Sequence, residues 1–216
     1  ADGGMEATGT IALSNGRAGQ DSLRRFDALK AMDNRTPFGP LANKLGWALT
    51  NAGQNVAVTS RYTLANRAHG GGMAMAFSDV VASAQSGARI RLDGDRAIGW
   101  NSAAGLSLST TARIEGGGLP EGTVRLARRG DGAALSGEAR LLPYVAGTSA
   151  VAVAPLQFVA ASDGSATFST GAALSGPLAG GFVDRLALPI NGRIGPDGAL
   201  TISGECRQLR WQRIEL

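Results

Sequence analysis

The chain has 216 residues, a formal net charge of +4, 44% hydrophobic and 18% charged residues, 32 glycines and only 5% aromatics. That composition excludes intrinsic disorder, bounds the molecule to one domain or two small ones, and predicts an aliphatic, thin core. The one cysteine, Cys206, and the one histidine, His69, are too few for the three or four soft ligands of a structural zinc site, so no metal or other cofactor is expected.

The first predicted strand covers residues 5–13 and is ended by Asn15-Gly16, a pair suited to a tight turn. From Asp21, a candidate N-cap, Leu23, Phe26, Leu29 and Met32 recur every three residues among charged neighbours, which predicts an amphipathic helix over 21–33. Beyond the break at 34–40, Leu41, Leu45 and Leu49 stack at i, i+4 and i+8, predicting a second helix over 41–52 closed by Gly53 as a C′ glycine. Together they make a short helical hairpin, inserted at about residues 20–53 in a single β domain spanning 1–216.

From Asn55 the period becomes two. Val56, Val58 and Tyr62 alternate with Ala57, Thr59, Arg61 and Thr63, and Met73, Met75 and Phe77 alternate with small residues. Ile90 and Leu92 oppose Arg89, Arg91 and Asp93. Leu106, Leu108, Thr110, Ala112 and Ile114 oppose Ser107, Ser109, Thr111, Arg113 and Glu115. Val124 and Leu126 oppose Thr123 and Arg125, while Leu135, Ala139 and Leu141 oppose Ser136, Glu138 and Arg140. Further strands are predicted over 151–160, 166–173, 182–194, 199–203 and 209–214, joined by turns such as Asp131-Gly132, Asp163-Gly164 and Pro196-Asp197-Gly198. Connections this short imply an antiparallel meander. Three architectures bury or use its apolar side: a sandwich, a barrel, or an open trough filled by something apolar.

Catalytic signatures are missing. No G-x-S-x-G elbow supports nucleophilic hydrolysis, and His69, in "NRAHGGG", reads as a turn histidine. Asp93-Gly94-Asp95 reads as a hairpin turn and not as a glycosidase carboxylate pair. Neither a phosphate-binding loop nor a calcium-binding β-roll repeat occurs, and Gly70-Gly71-Gly72 and Gly116-Gly117-Gly118 read as flexible β connections. The chain is not expected to be an enzyme. Its arginines are scattered, without interleaved aromatics, so no nucleic-acid partner is expected; they read as solvent-facing strand residues. Cys206 is either a small buried hydrophobe or half of a disulfide with a partner outside this chain. Both ends read as cuts from a longer protein, with no signal peptide, and the longest apolar stretch, 145–161, is too interrupted to span a bilayer.

The stretches "DALKAMDNRTPFGPLANKLGWALTNAGQNVAVTSRYTL" (27–64), "SGARIRLDGDRAIGW" (86–100), "GGGLPEGTVRLARR" (116–129) and "LSGPLAGGFVDRLALPINGRIGPDGALTISGECRQLRWQRIEL" (174–216) resemble the C-terminal part of YdbH-like proteins of α-proteobacteria. These belong with the AsmA-like and TamB-like proteins of the Gram-negative envelope. The resemblance rests on order, spacing and turn phrases over nearly the whole chain. It implies a mainly β fold: a long antiparallel, twisted sheet curled into an open, taco-like hydrophobic groove in the periplasm. It implies that phospholipid acyl chains are the partners, shielded on their way between inner and outer membrane, in outer-membrane biogenesis. It also implies a full-length protein anchored in the inner membrane and a small outer-membrane lipoprotein extending the groove. On this reading Leu106, Leu108, Ile114, Val124, Leu126, Leu135, Leu141, Val151 and Val153 line the groove, and the helices cover its mouth or one end. Replacing Leu108 or Leu126 with Arg is then expected to stop lipid passage without unfolding the sheet. The contrasting expectation is a structural, adhesive or carbohydrate-binding β-sandwich with a sealed core.

Overall fold

In the computed structural model, which describes residues 4–24, 26–67, 72–178, 180–197, 199–204, 211 and 213–215, the alternating segments pair into one 15-stranded sheet. His69 and Cys206 lie outside the described residues. The strands are β1 (Met5–Gly16), β2 (Val56–Arg67), β3 (Gly72–Ala84), β4 (Arg89–Asp93), β5 (Ile98–Asn101), β6 (Gly105–Glu115), β7 (Gly122–Arg129), β8 (Leu135–Leu141), β9 (Tyr144–Ala146), β10 (Ser149–Val153), β11 (Leu156–Ala160), β12 (Ala166–Leu178), β13 (Gly181–Ile194), β14 (Leu200–Ser203) and β15 (Arg213–Glu215). Helices α1 (Gln20–Arg24), α2 (Asp27–Lys30) and α3 (Gly39–Ala52) fall between β1 and β2.

Every ladder is antiparallel, and the sheet grows in chain order. Apparent irregularities are long strands broken in the middle. Both β4 and β5 pair with β3 on one side and β6 on the other, so residues 94–97 interrupt a strand without reversing it. This corrects the hairpin expected at Asp93-Gly94-Asp95: Gly94, at φ 128°, kinks the strand and the chain continues. Likewise β10 and β11 both pair with β12, and the single strand expected over 151–160 is split at Ala154 and Pro155, where proline has no N–H for the ladder. Only β2 is paired with β1, and only β13 with β14 and β15. Among the described residues the sheet therefore stays open at both edges and is not closed into a barrel.

Asn15 does adopt positive φ, 58°, but inside a bulge at the end of β1. The helix expected over 21–33 is instead two short helices, α1 and α2, with Phe26 between them at φ −88°. Helix α3 starts with Pro in its first turn, where a missing N–H costs nothing, and Thr36 Oγ1 accepts the Gly39 N–H at 3.1 Å. Gly53 ends it at φ −81°, not in the left-handed conformation; a side chain there would collide with Leu23. Glycine's conformational freedom is therefore not used at that site.

One face of α3 is buried. Leu41, with Leu45 beside it, packs on Tyr144 and Leu174. A turn later Ala48, with Leu49 and Ala52, packs on Ala88, Leu119 and Ile114. The helix thus bridges distant strands at one end of the sheet, on one face only. Gly116, Gly117 and Gly118 all have positive φ, at 67°, 60° and 76°. They are not a loose connection: a Cβ on Gly117 would sit 2.5 Å from that of Ala88, and Gly118 O accepts a 2.7 Å hydrogen bond from the Tyr144 hydroxyl. The tight turn lets two strand ends and the helix meet.

Candidate functional site

Cross-strand register fixes which side chains share a face, because directly paired residues point the same way. Following partners from β6 outward, Ile90, Val80 and Leu92 lie on the side of Leu106, Leu108, Ala112 and Ile114. So do Ile98, Trp100, Met75 and Phe77. In the other direction Val124 and Leu126 lead to Ala139 and Leu141, then Leu156 and Phe158, then Phe168. Ile190, Ile194, Leu200 and Ile202 complete the face on β13 and β14. The opposite face holds Arg89, Arg91, Asp93, Arg113, Arg125, Glu138, Arg140 and Arg193. Its ion pairs, such as Arg113–Asp93 at 2.8 Å and Arg140–Glu138 at 2.7 Å, are solvent-exposed and add little stability.

All nine residues named from the sequence fall on the apolar face. Leu106, Leu108, Val124, Leu126 and Leu135 lie in its open middle, partly buried or exposed. Ile114 lies under α3, and Leu141, Val151 and Val153 line a cavity beside it. Sequence reasoning missed the contribution of Ile98, Trp100, Phe158 and Phe168; the same alternation, extended through β5, β11 and β12, identifies them. It also missed that Arg128 occupies the apolar face, opposite Leu108.

This face is covered only in part: Thr110, Ala112 and Ala139 are buried at 6%, 5% and 8% between larger neighbours, while most of its larger side chains are half-buried or exposed. The accessible surface is 13574 Å², against about 9,300 Å² for a compact monomer of 21.9 kDa. Trp100, Leu106, Ile90 and Ile202 are exposed by 40%, 37%, 38% and 60%. A second layer would reduce such values to a few per cent. The two buried clusters, by contrast, lie where α3 crosses the sheet end.

Between the helices and the sheet is a cavity of about 350 Å³, lined by Leu29, Met32, Phe38, Leu41, Leu45, Pro120, Leu141, Leu142, Tyr144, Val151 and Val153 with Ala42. The only polar side-chain atom in that lining, the Tyr144 hydroxyl, is occupied by Gly118 O. Burial holds the Tyr144 hydroxyl above the ordinary tyrosine pKa, since the phenolate would be poorly solvated there. Phe38 and Leu142, at 50% and 59% exposed, form its rim. Lys44 stands over the Tyr144 ring at 4.7 Å and donates to Val145 O at 2.8 Å. A wider concavity, about 720 Å³, lies mostly on the polar face among Arg125, Glu138, Gln157, Thr167 and Asn191.

Among the described residues no group of three or more His, Cys, Asp or Glu could hold a metal ion, and no helix is long and apolar enough to cross a membrane. What the arrangement offers is a wide apolar surface in water. Comparison of the chain with known protein families, with curated proteins and with solved structures finds no match.

Proposed function

We propose that the apolar face shields phospholipid acyl chains from water, and that the sheet curls around them as an open, taco-like groove. In this reading the chain is a segment of a YdbH-like, AsmA-like envelope protein, anchored in the inner membrane, that carries phospholipid through the periplasm between the inner and outer membranes. The observation that carries it is a broad apolar face, broken by a single charged side chain and lacking a second layer over most of its width, on a chain whose other face is charged. A methylene crossing water costs about 0.8 kcal/mol, so a long acyl chain meets a barrier above roughly 10 kcal/mol. A surface as apolar as the bilayer interior removes that barrier without a catalytic group. The helices close one end, and the cavity beneath them accepts a chain terminus. The short outer edge formed by β14 and β15 is a place for a small lipoprotein to add strands and lengthen the groove.

The test is native mass spectrometry with organic extraction of the purified chain. Co-purified phospholipid, and quenching of Trp100 fluorescence by lipids with brominated chains that a Trp100→Phe variant abolishes, is the expected result. A protein free of lipid that takes up none from vesicles, and whose Trp100 is unquenched, overturns the proposal in favour of a sealed structural sheet.

A further inference from the structure

One charged side chain interrupts the apolar face. Along β7 the alternation Val124, Leu126, Arg128 points to the same side, and register puts Arg128 opposite Leu108 on β6. The next position on β8 is Leu135, because Ala127 pairs with Ser136. At the other described strand positions of that face, from Leu13 on β1 to Ile202 on β14, the side chains are apolar, glycine or uncharged polar. Arg129, the adjacent residue, belongs to the polar face with Arg125.

Arg128 is held, not loose. Its Nε donates to Gly130 O at 3.2 Å, which fixes the guanidinium at the end of β7, and the residue is partly buried. Among the described residues no carboxylate forms an ion pair with it. The nearby Asp131 carboxylate accepts the Leu106 N–H at 3.0 Å instead. An arginine whose stem lies between leucines and whose remaining N–H groups stay free is arranged to meet an anion that arrives with hydrocarbon attached.

The spacing agrees. Six residue steps along β7 carry the chain from Gly122 to Arg128, about 20 Å at 3.3 Å per residue. Gly122 pairs with Leu141, a wall of the apolar cavity beneath α3. One leaflet's hydrocarbon is about 15 Å deep, half of a 30 Å core, so an acyl chain reaches from the Arg128 end toward that cavity.

We propose that Arg128 is the head-group anchor of the apolar face: it pairs bidentately with the phosphate of a phospholipid whose acyl chains lie along β7 toward the cavity. The inference rests on the acyl-chain reading above and adds a selectivity, for phosphate-bearing lipids over neutral ones with the same tails.

The purified chain is titrated with dihexanoyl phosphatidylglycerol and with dihexanoylglycerol. Wild type binds the phospholipid about tenfold or more tightly, as expected for a charge-assisted hydrogen-bonded pair. Arg128→Gln removes that preference and leaves dihexanoylglycerol binding unchanged, which also shows that the variant folds; Arg128→Lys keeps part of it. Added salt weakens only the phospholipid component. Equal binding of the two lipids by wild type, a preference that survives in Arg128→Gln, or displacement by an equal concentration of inorganic phosphate each overturns the anchor while leaving acyl-chain binding intact. Failure of wild type to bind either lipid overturns the acyl-chain reading itself, and the anchor with it.

Discussion

Leu126→Gln separates an open apolar face from a sealed core by magnitude. Leu126 sits between Thr110 and Gly137, and Gly137 leaves room for the Phe158 ring beside it. If the face is open, the variant loses about half of a leucine's burial and its amide stays in water. That costs about 1 kcal/mol, or about 2–4 °C in Tm for a chain of this size. Were the face sealed, the same change would lose the full burial and strand an amide without partners, about 3–5 kcal/mol together. Lipid binding should respond in the opposite proportion. An amide pressed against an acyl chain costs about 1–3 kcal/mol, which lowers affinity roughly 5- to 150-fold. Gln is a cleaner probe than Arg, because a new cation at position 108 or 126 would stand opposite Arg128 or two residues along the same strand from it. Urea denaturation gives the first quantity and a native mass spectrometry titration the second. A stability loss of about 3 kcal/mol or more, or a variant that does not fold, would refute the open-face argument.

The clusters under α3 should behave as ordinary core. Leu174, 2% exposed and packed on Leu41 and Tyr144, should cost about 3 kcal/mol as Leu174→Ala, read as a fall in Tm of about 6–12 °C. Ser149 is fully buried and its Oγ has no hydrogen-bond partner, so Ser149→Ala should leave stability unchanged or raise it by about 1 kcal/mol in the same urea assay. Tyr144 has a pKa raised above 10.0 by burial, so the folded state holds its proton when the unfolded chain has lost it. Its contribution is therefore complete below pH 10 and declines as pH rises through the folded-state value. Melting curves of wild type should drop more steeply above pH 10 than those of Tyr144→Phe, which itself loses about 1 kcal/mol with the Gly118 hydrogen bond.

Alternation was enough to assign faces. Leu106 to Ile114 and Leu135 to Leu141 fall where period two puts them, because a pleated strand sends successive side chains to opposite sides whatever surrounds it. The helix α3 was legible from its Leu41, Leu45 and Leu49 stripe for the same local reason. Strand breaks were not. Asp93-Gly94-Asp95 carries turn chemistry, yet β3 and β6 hold both halves in one line, and only those neighbours decide between a kink and a reversal. No strand was expected over 144–146, yet these residues form β9, paired with β10 and packed through Tyr144 against Leu41 of α3.

Local periodicity, then, determined that this chain has one wet and one apolar side, since that information resides in each residue and its second neighbours. Tertiary structure decided that the apolar side meets no second layer over most of its width, that α3 packs across one end of it, and that Arg128 comes to lie opposite Leu108. Those outcomes depend on which strands pair and where a distant helix packs, and contacts between residues far apart in sequence leave no signal in the period of either partner.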